Sequence, residues 1–340
     1  MQRFVVTALM ALVAAFAAGL PVSAASDATP KPVSVRAPTP IAAYGDHLVW
    51  SRPNGAGAFE LVRRVGGGPV TRLPIPPRSV PFDVDLGPTS AGRVLAVYSR
   101  CRTEATGGGI PEYHTGRGCS VYRLDLQRGH EARYTTIHAQ SATEYWPTYW
   151  KGRLAFARAY DNGNGGSALY VKDVESSSPS ARLPGGPPSC TEPDGCVFQP
   201  RPLQLELYGS RLAFVWRIPD EGDGYQLRVD TVGARDGVVV DRTSTGLTTL
   251  VAAWPAFEDG RVFWVRECGG DPSGCTPQRV FLAQSSYTGR IVRRTAPSPS
   301  WVIGHERSAG LTWILRDAPE RKSPDCCVLE ALRPSYAPPR

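Results

Sequence analysis

The stretch "YWKGRLAFARAYDNGNGGSALYVKDV", residues 149–174, reads as two short strands joined by a turn rich in Gly, Asn and Asp. A hairpin of that size cannot bury its own apolar face in water, so its partner must lie elsewhere in the chain. Aligned on "GRLAF", the sequence contains the same phrase six times: "GDHLVWSR" (45–52), "GRVLAVYSR" (92–100), "GRLAFAR" (152–158), "GSRLAFVWR" (209–217), "DGRVFWVR" (259–266) and "AGLTWILR" (309–316). The anchoring aromatics Trp50, Tyr98, Phe156, Phe214, Trp264 and Trp313 follow one another at intervals of 48, 58, 58, 50 and 49 residues. A period of about 50 residues marks a repeat architecture.

Each copy has the same internal order: an apolar strand, a Gly turn, the aromatic strand, a polar loop, an alternating third strand and a short fourth. The third strands are "FELVRRV" from Phe59, "SVYRLDL" from Ser120, "ALYVKDV" from Ala168, "QLRVDTV" from Gln226, "RVFLAQS" from Arg279 and "VLEALRP" from Val328. Alternation with frequent turn signals argues for antiparallel β-structure, and no convincing helical stretch interrupts it. Four strands repeated six times predict an all-β, six-bladed β-propeller over residues 38–340, in which each four-stranded blade buries both faces against its neighbours. A pair of β-sandwiches is the alternative, but a sandwich has no reason to repeat one four-strand phrase at a near-constant period. The recurrent aromatic is then inter-blade core rather than a sugar-stacking platform.

The stretch "PTYWKGRLAFARAYDNGNGGSALYVKDV" (147–174) resembles a blade of the TolB-type six-bladed propellers, whose repeat runs Pro, Trp, a Gly turn, an apolar-aromatic strand, an Asp/Gly/Asn turn and an apolar strand with Tyr. The other five copies match more loosely. The resemblance implies the fold, which many unrelated functions share. The chain enters its first blade near Pro40, without the α/β domain that TolB places ahead of its propeller. "PFDVDLGP" (81–88) with "VYSRC" (97–101) also resembles secreted propellers of high-GC bacteria with no known function.

Ahead of the repeats, "MQR" and the apolar run Phe4–Leu20 lead to Val22-Ser23-Ala24, the pattern of a secretory signal cleaved after residue 24. Residues 25–37 are read as an N-terminal segment carrying a ring-closing strand, because "PVSVR" (32–36) alternates and the sixth repeat runs short after "VLEALRP". The expected location is extracytoplasmic, secreted or in the cell envelope, without membrane insertion after cleavage. Eight cysteines fit an oxidising compartment. The repeat register pairs Cys101 with Cys119, Cys268 with Cys275 and Cys190 with Cys196, which leaves the adjacent Cys326 and Cys327.

The formal net charge is +7, yet 34 of the 38 basic residues are Arg, only Lys31, Lys151, Lys172 and Lys322 being lysines. With the excess of Gly, Pro and Ala, this looks like coding bias, so no nucleic-acid partner is expected. Nucleophile-elbow, zincin, EF-hand and P-loop motifs are absent. No cofactor and no metal is implied, and "DNGNGGS" (161–167) reads as a hairpin turn rather than a calcium loop.

The function expected from these features is a non-catalytic, monomeric binding or scaffold module. Its ligand is an unidentified protein or an anionic envelope component. Arg52, Arg100, Arg158 and Arg266 end their aromatic strands, with Arg217 and Arg316 one residue later, and six parallel ends would gather guanidiniums on one propeller face. The structural alternative is pairing with nearby carboxylates. The same face should carry the long loop 102–118 with Tyr113 and His114, bracketed by Cys101 and Cys119. The second functional class is a hydrolase or lyase at the propeller axis. Its best candidates are Asp83 and Asp85, two apart on a strand and so on one face, where they would meet a cation or pair with Arg.

Overall fold

A computed structural model describes residues 29–104, 116–137, 139, 142–160, 167–184, 201–218, 224–234, 237–243, 249–269, 279–287, 292–295, 302–318 and 326–336. The expected leader (1–24), Tyr113, His114, most of the 161–167 turn, Cys190, Cys196 and Cys275 lie outside them. Among the described residues no helix is long and apolar enough to cross a membrane.

The strands form six four-stranded antiparallel sheets. Blade one contains β2 (Ile41–Tyr44), β3 (His47–Pro53), β4 (Phe59–Val65) and β5 (Thr71–Arg72). Blade two contains β6 (Asp85–Pro88), β7 (Val94–Arg100), β8 (Ser120–Asp125) and β9 (His130–Arg133). Blade three is β10 (Ala142–Trp150), β11 (Arg153–Tyr160), β12 (Ser167–Asp173) and β13 (Ala181–Arg182), and blade four is β14 (Arg201–Tyr208), β15 (Arg211–Ile218), β16 (Gly224–Thr231) and β17 (Val238–Thr243). Blade five is β18 (Thr249–Glu258), β19 (Arg261–Gly269), β20 (Arg279–Ser286) and β21 (Val292–Arg294). Blade six takes β22 (Val302–Ser308), β23 (Leu311–Asp317) and β24 (Cys327–Leu332) from the end of the chain and β1 (Val33–Val35) from its beginning. The innermost strands touch in the order β2, β6, β10, β14, β18, β22 and back to β2, which closes the ring. The chain is a six-bladed β-propeller.

The repeated phrase has a direct local cause. The Gly between first and second strands has positive φ in every blade: Gly45 60°, Gly92 77°, Gly152 84°, Gly209 62°, Gly260 73° and Gly310 74°. In blades three, five and six the residue before it is also left-handed (Lys151 43°, Asp259 47°, Ala309 52°). Two successive positive φ values make the turn whose twist matches a tight hairpin. The aromatic anchors then fill the space between blades: Tyr98, Phe156 and Trp264 are 0% exposed and Phe214 is 1% exposed. Trp50 and Trp313 pack together with Val35, Val62 and Leu329 in one cluster between blades six and one. Gly87 has a different task. A Cβ there would lie 1.7 Å from the carbonyl oxygen of Tyr149, so only glycine lets β6 approach β10 this closely.

Closure depends on β1. Val33, Ser34 and Val35 pair antiparallel with Leu329, Val328 and Cys327, giving blade six its fourth strand and covering the edge of β24. Cys326 and Cys327 are disulfide-bonded, as are Cys101 and Cys119, and Cys327 lies directly opposite Val35. Deleting residues 25–37 removes this strand together with buried Val35. The expected result is a thermal midpoint lower by ~5 °C or more, corresponding to ~3 kcal/mol in a chain of this size. An unchanged transition in differential scanning calorimetry would refute closure by β1.

Candidate functional site at the propeller axis and the closure groove

The four sequence-singled arginines all meet carboxylates. Arg52 pairs with Glu60 at 3.1 Å, Arg100 with Glu131 at 3.0 Å, Arg158 with Glu144 at 3.3 Å and Arg266 with Asp241 at 3.7 Å. Arg316 follows suit with Glu330 at 2.7 Å. Burial separates them. The Arg158 side chain is 8% exposed against a Glu144 side chain that is 0% exposed, and it also bonds the carbonyl of Ile137 and stacks 4.5 Å over the Tyr170 ring. The Arg100 guanidinium lies over the rings of Phe82, Tyr98 and Tyr122 and donates to the Pro76 carbonyl. Arg52, with 43% of its side chain exposed, is the one of the four that keeps a substantial solvent face.

Arg52 faces a groove. Val33, Ser34, Val35 and Arg36 of the closing segment form one wall, and Trp50, Arg52, Asn54 and Glu60 of blade one form the other. Its volume is about 610 Å³, within the range of small-molecule sites.

Asp83 and Asp85 are both buried but have different surroundings. Asp83 Oδ1 accepts from the Ser99 amide (2.8 Å) and Arg78 (3.3 Å), while Oδ2 accepts from the Ser99 hydroxyl (2.7 Å) and the Trp146 amide (2.9 Å). Arg78 in turn makes a bidentate pair with Glu104, which ties the start of the 102–118 loop to blade two. All four acceptor positions of Asp83 are therefore used by the fold. Asp85 instead opens on the axis. Its oxygens accept from the Leu86 amide (2.7 Å) and, across to blade three, the Tyr149 amide (3.1 Å).

Strand register shows what surrounds Asp85. Ala42, Asp85, Thr148, Glu206, Ala256 and Glu306 lie opposite Val49, Val97, Ala155, Ala213, Phe263 and Trp313, so they form one level of the ring, one residue per blade. Carboxylates stand in blades two, four and six, and each offers an oxygen within 4.8 Å of the others. They line an axial cavity of about 30 Å³ with Pro147, Trp254 and His305. Burial pushes the Asp85 carboxyl up to about 7 against the pull of hydrogen bonds from Thr148, Tyr149, Leu86 and the Glu206 carboxyl, with which it shares a proton. Glu206 and Glu306 are raised well above the usual carboxylate range, by burial first and by the charge of Asp85 second. His305 is lowered to about 4 by burial, so its ring is neutral at pH 7. Its Nδ1 lies 2.9 Å from the Trp254 carbonyl oxygen, which can only accept.

Glu206 escaped the motif search because it stands alone in β14, and the adjacent His305 and Glu306 of β22 because they match no metal or catalytic spacing. Aligning the first strands on the Gly turns does not find them either, because Asp85, Glu206 and Glu306 stand seven, three and four residues ahead of Gly92, Gly209 and Gly310; the level emerges only from strand pairing. A second missed signal is the Trp-Pro pair at 146–147 and 254–255. Both tryptophans have positive φ, 47° and 56°, at irregularities in β10 and β18 that place them against the axial cavity. A bulky residue in that region is an uncommon, strained conformation.

No protein-family model matches the chain, and no curated protein matches it. Solved structures do. A protein of unknown function from Dyadobacter fermentans is 12% identical, with a TM-score of 0.50 over 89% of this chain and 98% of that one. The propeller domain of the trilobed protease from Pyrococcus furiosus is 8% identical, with a TM-score of 0.47 over 88% and 96%. A prolyl endopeptidase is 12% identical, with a TM-score of 0.45, and this chain spans only 40% of its length. The likeness is one of fold.

The contrast between the arginines is testable. Arg158→Glu sets a second buried carboxylate against Glu144, and the expected loss is ~3 kcal/mol or more. Arg52→Glu, in an exposed pair worth at most ~1 kcal/mol, should leave the melting midpoint nearly unchanged. Equal melting shifts for the two variants would contradict this assignment.

Proposed function

We propose that the protein is an exported, non-catalytic binding propeller that recognises an anionic group of a protein or envelope polymer at the closure groove. The observation that carries this reading is the groove itself, a concavity of about 610 Å³ with Arg36 and the half-exposed Arg52 on its walls. A guanidinium is suited to carboxylate and phosphate, and a rigid scaffold lowers the ordering cost of binding. Export is supported by the signal-like N-terminus and by the Cys101–Cys119 disulfide, which fits an oxidising compartment. The raised carboxyls at the axis favour the second reading, a hydrolase or lyase. Against it stands the axial cavity, whose 30 Å³ is far below the size of an organic substrate.

Retention on phosphocellulose tests the groove. The Arg52→Glu variant should elute at lower salt than wild type, whereas Arg128→Glu, the same charge change at an exposed turn of blade two, should elute close to wild type. Both should weaken as salt shortens the screening length from about 10 Å at 0.1 M to about 3 Å at 1 M. Equal shifts for the two variants would mean that retention reads net charge, and the groove assignment would fail.

A further inference from the structure

We propose that Asp85, Glu206 and Glu306 form a calcium site that links blades two, four and six across the propeller axis. The three acids come from β6, β14 and β22, and their oxygens lie within 4.8 Å of one another. That spacing suits a single ion with ligand distances of about 2.4 Å. The cavity of about 30 Å³ holds one ion or one water-sized particle. Its lining residues include no Lys or Arg, so no basic side chain occupies the space between the acids. Two buried carboxylates and a half-buried one that close together repel one another unless protons or a cation neutralise them.

His305 supplies the independent observation. It is 2% exposed and lines the same cavity, and its Nε2 has no hydrogen-bond partner in the protein. Because Nδ1 donates to the Trp254 carbonyl, the neutral ring carries its lone pair on Nε2. A ring held by a backbone carbonyl with the opposite nitrogen open is arranged to serve a metal or a water bound to it. His305 is not among the three groups that share the 4.8 Å spacing, so the water is the fitting partner. The Leu86 and Tyr149 amides hold the Asp85 carboxyl in place at the axis. An all-carboxylate set selects a hard cation over zinc or copper, and calcium tolerates irregular geometry where magnesium demands a near-ideal octahedron.

The full chain, stripped with EDTA, is titrated with Ca2+ and separately with Mg2+ while the thermal midpoint and the heat of binding are measured. The site predicts saturable binding of one Ca2+ per chain, a midpoint higher by several degrees, and a smaller response to Mg2+. Glu206→Gln and Glu306→Gln should fold and lose the Ca2+ response. The wild-type titration reads the ion directly even if one variant fails to fold. Absence of binding heat and midpoint shift in wild type at millimolar Ca2+, or a full Ca2+ response in both Gln variants, would overturn the site. A larger response to Mg2+ would overturn the choice of calcium.

Discussion

The innermost strand of each blade is a sheet edge that the ring buries, and its outward-facing N–H groups need acceptors that no fifth strand can provide. Side chains of the preceding blade supply them. Asp83 accepts from Trp146, Asp85 from Tyr149, Thr148 from Leu207 and Gln204 from Trp254, and Ser51 accepts from the Phe82 amide just ahead of β6. A buried amide left without a partner costs about 1–3 kcal/mol. The direction is the same at each of these steps, blade by blade along the chain. Between the last blade and the first the polarity changes, and the Ser308 hydroxyl donates to the Gly45 carbonyl.

Polar residues therefore stand at the axis for a structural reason before any functional one. Asp83 is fully engaged in this role, and Asp85 only partly, because one side of it turns to Glu206 and Glu306. The same stitching requires close backbone approach, seen where Gly87 leaves room for the Tyr149 carbonyl and where the Lys151 amide reaches the Pro88 carbonyl at 2.7 Å. Closure by β1 follows from the same constraint at the outer rim. An unpaired β24 would present a free edge, and Val35 fills the apolar cluster shared by blades six and one.

The propeller was legible because its determinants are local. A left-handed Gly turn and an aromatic three to six residues beyond it recur in one continuous phrase, and so does the alternation of the third strands. The arginine ends were equally legible as a pattern but not as a surface, because their partners lie on other strands. Glu131 reaches Arg100 from the outer strand of its blade, and Asp241 reaches Arg266 from the neighbouring blade. The axial carboxylates fall between these cases. Asp85 was singled out beside Asp83, whereas Glu206 and Glu306 each look like the solvent-facing residue of an alternating strand. Only ring closure turns the inner edges toward one another.

Amide hydrogen exchange tests the axis most directly, because Tyr149, Leu207 and Trp254 donate to side chains of another blade. In a ring held together as described, these amides exchange as slowly as the ladder amides of β11 and β15. Exchange at the rate of exposed turns, with the ladders still protected, would contradict the claim that inter-blade acceptors hold the propeller together.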